Sequence, residues 1–170
     1  MKRNIVIAAV TAAALAVGGT ATALAASGDD DDAAAPSAKV TASEAIAAAL
    51  KDTPGTAVSA ELDDDEGGAA WEVDVLAPDD TWHSVRVDPV GGKVRGSYAD
   101  DEDDAVEIRA ALKHTTLTAT EAVEAASAKG RVTSVDLDDA AWEAETHTKG
   151  EPEHEWLVDT RSGKLTADDD

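Results

Sequence analysis

Two stretches of this chain, "VRVDPVGGKV" (Val85–Val94) and "WLVDTRSGKL" (Trp156–Leu165), follow one plan. Each is an apolar, strand-like run ending in Val-Asp, then a few turn residues, then Gly-Lys and a branched apolar residue. Asp88 and Asp159 are placed to accept hydrogen bonds from the backbone of their own turns, as Asx turns do. Gly92 and Gly163 supply the permissive backbone such a turn needs, and Lys93 and Lys164 open a short return. A ligand site at either Asp is the competing reading.

Working outward, the resemblance between the two regions continues. "AAWEVDV" from Ala69 matches "AAWEAET" from Ala140, and "VSAELDD" from Val58 matches "TSVDLDD" from Thr133. Before them, "VTASEAIAAALKDTPG" and "LTATEAVEAASAKG" each place a Thr three residues ahead of a Glu. Thr41 with Glu44, and Thr118 with Glu121, are capping boxes in which hydroxyl and carboxylate satisfy backbone donors of a first helical turn. Ala42, Ala45, Ile46, Ala49 and Leu50 recur on one helical face, as do Ala119, Ala122, Val123 and Ala126. Pro54-Gly55 and Gly130 stop the helices.

The strands alternate with period two. Val58, Ala60 and Leu62 share one expected face, as do Trp71, Val73 and Val75, then Val85 and Val87; Glu72, Asp74, Ser84 and Arg86 take the other. In the second region the inward set is Val135, Leu137, Trp142, Ala144, Thr146, Trp156 and Val158. The expected fold is α+β: two tandem repeats, each a helix packed on a small antiparallel sheet of about three strands. Between them "GSYADDEDDAVEIRAALKHTT" reads as an acidic linker and a helix from about Ala105 to His114 that packs on one repeat or bridges both. The boundaries are a leader at 1–25, an acidic tether at 26–39, a first repeat at 40–95, linker and helix at 96–116, a second repeat at 117–166 and an acidic tail at 167–170.

The order Thr-x-x-Glu-Ala-Ile/Val, then Trp-Glu-Val, then Val-Asp-x-x-x-Gly-Lys-Val/Leu resembles the PepSY domain, present twice, over Val40–Val94 and Leu117–Leu165. The family usually has Tyr where Trp71 and Trp142 stand, and in the second copy a charged hairpin, "WEAETHTKGEPEHEW", replaces hydrophobic alternation. The resemblance implies a helix on an antiparallel sheet and a binding or inhibitory module. PepSY domains occur in propeptides of secreted metallopeptidases and in cell-envelope proteins, and the family brings no catalytic residues to transfer.

Met1-Lys2-Arg3-Asn4, the apolar run Ile5–Val17 and Ala23-Leu24-Ala25 have the order of a secretory signal peptide cleaved after Ala25. An uncleaved anchor is the rival reading. No other segment is apolar enough to span a bilayer, so no stable membrane insertion is expected once the leader is removed. The chain holds no Cys, which excludes disulfide staples and a cysteine-linked lipid. The expected location is extracellular, free or held at the cell envelope. A net charge of −22 repels phosphate backbones and anionic headgroups, so nucleic acid is excluded as a partner and cationic proteins, cationic surfaces and loosely held divalent ions are favoured.

No Ser, His and carboxylate stand in a recognisable catalytic order, and no cofactor, metal site or enzyme is expected. His147 and His154 flank a hairpin, yet alternation sends them to opposite faces. "DDDEGGAAWEVD" from Asp63 lacks a fifth-place ligand for a calcium loop. Trp82 is out of phase with Val85 and Val87 and stands near Leu76 across a hairpin, a candidate partner contact on the outer face. The competing reading packs that face against the other repeat. The leading function is a secreted, non-catalytic interaction module that binds or restrains a peptidase or another envelope protein. The alternative is an acidic extracellular protein that loosely binds cations or cationic cell-surface components.

Overall fold

Thr41 and Thr118 mark two equivalent entries into the fold. The computed structural model describes residues 38–64, 68–100, 105–138 and 141–168. The leader, residues 26–37 of the tether, the acidic run 101–104 and the last two tail residues lie outside them. The elements run α1 (Ala42–Asp52), β1 (Thr56–Ala57), β2 (Ser59–Asp63), β3 (Ala70–Leu76), β4 (Trp82–Val87), β5 (Val94–Asp100), α2 (Ala105–Leu112), α3 (Ala119–Ala126), β6 (Arg131–Asp138), β7 (Ala141–His147), β8 (His154–Asp159) and β9 (Leu165–Ala167).

All nine strands join one antiparallel sheet, ordered β5-β4-β3-β2-β6-β7-β8-β9, with β1 pairing β3. The expected pair of small sheets is corrected on two points. Each half adds a further strand, β5 or β9, where a short return was expected. The two sheets also fuse through β2 and β6, where Ser59 faces Asp136, Ala60 faces Val135 and Glu61 faces Ser134. β5 runs to Asp100, into the stretch read as linker from residue 96.

Both capping boxes form. Thr41 Oγ1 accepts from the Glu44 N–H at 3.3 Å while the Glu44 carboxylate takes the Thr41 N–H at 2.8 Å, and Thr118 with Glu121 repeats this at the same distances. These bonds to Thr41 and Thr118 hold both glutamates below their ordinary pKa. α1 buries Ala42, Ala45, Ile46 and Ala49, and α3 buries Ala119, Ala122, Val123 and Ala126. Both helices lie on one face of the sheet and touch each other, and one continuous apolar core spans the two halves. Small side chains along both helices permit that close approach.

Each tryptophan ties its helix to the sheet. Trp71 Nε1–H donates to the Val40 carbonyl at 3.0 Å and Trp142 Nε1–H to the Leu117 carbonyl at 3.2 Å, one residue ahead of each N-cap. The indoles are fully buried, so this bond satisfies a donor that burial strands from water. The preceding backbone is bound as well: the N–H groups of Lys39 and Val40 converge on the Pro89 carbonyl, those of Thr116 and Leu117 on that of Thr160.

One expected facing is wrong. Val58 does not share a face with Ala60 and Leu62; it packs with Leu76 and Trp82 on the other side of the sheet. Between Ala57 opposite Val75 and Glu61 opposite Glu72, the β1–β2 segment holds one residue more than β3, a bulge that turns Val58 over. β6 carries the same insertion between Val132 and Ser134, at Thr133. Near that break Gly55 is jammed against β3: a Cβ there would meet the Leu76 carbonyl oxygen and a Val75 methyl at 2.6 Å.

Candidate interaction surface

The turns after β4 and β8 are built alike. The Gly92 N–H donates to the Asp88 carbonyl at 2.9 Å and the Asp88 N–H to the Lys93 carbonyl at 2.8 Å; Gly163, Asp159 and Lys164 repeat the arrangement at 2.9 and 3.0 Å. Gly92 and Gly163 each adopt φ +67°, a conformation in which a side chain is strained. Asp88 Oδ1 accepts from the N–H groups of Gly91 (2.6 Å) and Val90 (3.0 Å); Asp159 Oδ1 accepts from those of Ser162 (2.8 Å) and Arg161 (3.2 Å) and from the Ser162 hydroxyl (2.6 Å). Lys93 and Lys164 are exposed and take part through their backbone. The halves differ at one contact. The Arg95 guanidinium pairs with Asp88 at 2.7 Å and, with the two turn N–H groups, lowers its pKa from 3.8 to about 2. Asp159 is lowered chiefly by the Ser162 hydroxyl and backbone.

Trp82 lies opposite Leu76 on the face away from α1 and α3, in the expected register. The exposure on which a partner contact depends is absent, however. Trp82 is 3% exposed, Leu76 2% and Val58 2%. α2 covers them with Ala105, Ile108 and Leu112. Arg109 fastens α2 to the β3–β4 turn, its Nη2 donating to the Ala77 carbonyl at 2.7 Å and its Nε pairing with Asp80. Neither expected alternative describes this burial, because the cover comes from the helix between the halves.

Across the second half the same outer face is acidic and mostly half-buried. Glu143 and Glu145 on β7 stand opposite Leu157 and Glu155 on β8, and Asp136 and Ser134 on β6 adjoin them. Glu145 is raised above its ordinary pKa, first by burial and then by Glu153, Glu155, Glu61 and Glu143. His147 and His154 sit at alternate register positions, His154 opposite core-facing Thr146. Among the described residues no group of three or more His, Asp or Glu converges in a metal-holding arrangement. Among the same residues no helix is long and apolar enough to cross a membrane.

Sequence reasoning missed a further surface. The end of α1, the β3–β4 turn and β5 enclose an open cleft of about 540 Å³, whose lining includes Asp52, Asp79 and His83. Its parts come from residues read as a helix stop, a turn and a linker. The one available signal was "GSYAD" (Gly96–Asp100), whose Tyr98 is 61% exposed on the strand at the sheet's end.

Comparison with known proteins follows from this geometry. No curated protein matches the chain. A solved structure titled as that of a "putative lipoprotein" from Clostridium difficile 630 matches with a TM-score of 0.46 and 21% identity, covering 76% of this chain and 92% of the other. The family model described as "Peptidase propeptide and YPEB domain" matches residues 39–98, the span of α1 through β5. Over those residues the chain is similar to the PepSY family.

Proposed function

We propose that this protein is a secreted or envelope-held, non-catalytic interaction module that binds or restrains a peptidase, built from two PepSY-type units of which residues 39–98 are the first. The observation that carries the functional reading is the family match on a body whose described polar groups serve caps, turns and surface. The matched family is described as a peptidase propeptide domain, and that description is what favours a peptidase as the partner.

The register of β2 on β6 supports a duplicated origin. Sequence matching aligns Ser59 with Ser134, Ala60 with Val135 and Glu61 with Asp136. In the sheet, Ala60 faces Val135, and the flanking pairs Ser59–Asp136 and Glu61–Ser134 exchange places about it. That is the pattern of an isologous, two-fold contact. The bulges at Val58 and Thr133, both capping boxes and both Asx turns favour the same reading.

The experiment mixes the purified chain with secreted metallopeptidases from the same culture, followed by size-exclusion chromatography and peptidase assay. A co-eluting complex or a changed hydrolysis rate is expected. No complex together with unchanged activity overturns the peptidase reading. Loose cation binding by the acidic outer face is the second reading, favoured by the upward shift at Glu145. Calorimetry showing heat with low-millimolar calcium and none with a peptidase would put it first.

A further inference from the structure

The cleft beside β5 is lined by Asp52, Thr53, Pro54, Pro78, Asp79 and His83. Ser97 of β5 forms part of its wall, with its hydroxyl 3.1 Å from that of Thr53. Two proline rings offer flat apolar walls and two aspartates offer negative charge. The last carbonyls of α1 add partial negative charge at the same place. Asp79 Oδ1 accepts the Thr81 N–H at 3.2 Å, and this bond, more than the neighbouring His83, keeps the carboxyl below its ordinary pKa. Asp79 therefore stays anionic across the neutral range. Arg109 engages the adjoining Asp80 and the Ala77 carbonyl.

Asp52 is a local anomaly. An acid at the C-terminus of a helix opposes the helix dipole, where a base assists it. Lys51 answers the dipole one residue earlier. In the second half the residue matching Asp52 is Lys129, whose ammonium lies 4.7 Å from the centroid of the Trp156 ring. One half thus brings its own cation to this corner, and the other brings an anion and an open cleft. Asp52 is exposed, and within the chain its carboxylate accepts the Thr53 hydroxyl at 3.3 Å.

Beside the cleft runs an edge strand. β5 has seven residues, contains no proline and pairs with β4 on one side at the end of the sheet. Arg95, Ser97, Tyr98 and Ala99 are exposed along it, and the Tyr98 ring lies over Gly96. Long strands of this kind accept extended peptides by strand addition. The opposite edge, β9, has three residues.

We propose that β5 and this cleft form one docking site for an extended, basic segment of a protein partner. The segment adds as a further strand to β5, and one lysine or arginine enters the cleft, its charge received by Asp52 and Asp79 and its stem by Pro54 and Pro78. The inference deepens the interaction-module reading and rests on it.

The test uses the full chain and a fluorescein-labelled peptide, acetyl-(Thr-Lys)4-amide, in which alternate side chains fall on one face of a strand. Asp52→Asn/Asp79→Asn is expected to weaken binding about tenfold, while Glu145→Gln/Glu155→Gln, equal in charge lost, changes it less than about twofold. In ¹⁵N-labelled protein the amides of Arg95–Ala99 shift and exchange more slowly on adding peptide. Equal losses in the two double variants, shifts spread over the acidic outer face, or no binding overturns the proposal. Thermal melts of both variants report that each is folded. Peptidase binding separates the two readings: if the Asp52→Asn/Asp79→Asn chain binds peptidase as well as the wild type, the cleft inference fails alone. If the wild type binds no peptidase, the peptidase reading fails and the peptide result stands by itself.

Discussion

The two halves share helix, turns and sheet geometry, and they part company on the outer face. In the first half one end of that face is apolar, Val58, Leu76 and Trp82, and α2 covers it. In the second the residues matching Leu76 and Trp82 are His147, half-buried, and Glu153, exposed. The inner faces are alike because both lie under a helix in one shared core. The outer faces differ because there is one α2 for two surfaces. The charged hairpin of the second half is thus the composition that an uncovered face requires.

The largest effect expected from this comparison comes from separating the halves. Residues 117–170 alone lose the β2–β6 pairing and the α1–α3 contact, and a unit of that size buries too little surface to be secure by itself. Calorimetry of the fragment should show no cooperative transition; a sharp one would mean that the shared core is incidental. Next come the buried indoles. Trp71→Ala and Trp142→Ala should each cost about 3–5 kcal/mol in denaturant unfolding, through lost volume and the freed carbonyl at the helix entry. Losses of under about 1 kcal/mol at either site would sink the anchoring role.

The outer faces are then set directly against each other. Leu76→Ala opens a hole under α2 and should cost about 2–4 kcal/mol, whereas His147→Ala should stay within about 0.5 kcal/mol. Similar costs would dissolve the distinction between covered and bare. On the bare side, Glu145 has its folded pKa raised, so its ionised form destabilises the fold at neutral pH. Glu145→Gln should gain no more than about 0.5 kcal/mol at pH 7 after solvent screening, and the gain should shrink as pH falls through the raised value and be gone below the ordinary one.

The smallest effect lies in the turns. With Asp88 lowered to about 2 from 3.8, its stabilising contribution is complete above the higher value and disappears as pH drops through the lower one. Asp88→Asn should melt slightly below wild type at pH 6 and at the same temperature near pH 2, read by circular dichroism. Asp159→Asn, whose carboxylate leans chiefly on Ser162 where Asp88 has the Arg95 guanidinium, should show a smaller difference.

Caps, turns, helix stripes and most strand facings were legible because each rests on residues a few positions apart. Thr41 with Glu44 needs three residues of context, and Asp88 with Gly92 needs four. What escaped depends on distant partners. Trp82 carries the alternation of an outward residue, and only the position of α2 makes it buried. Val58 defeats simple alternation because a bulge adds one residue without a glycine or proline to announce it. The fused sheet was hidden for the same reason: nothing in "SAELD" distinguishes an edge from a strand with neighbours on both sides. The cleft joins residues from positions 52 to 97, and no local pattern holds them together.

The fused sheet also has a handed shape. Eight strands lie side by side from β5 to β9, separated by about 34 Å at the usual spacing. Each step rotates the next strand by roughly 20–25°, so the two rims are turned by about 140–175° relative to each other. A flat surface that engages one rim therefore meets the other almost end for end, and a propeller-shaped slab of this kind presents its two borders to different directions in space. A sheet this wide is not a ribbon that lies flat against anything.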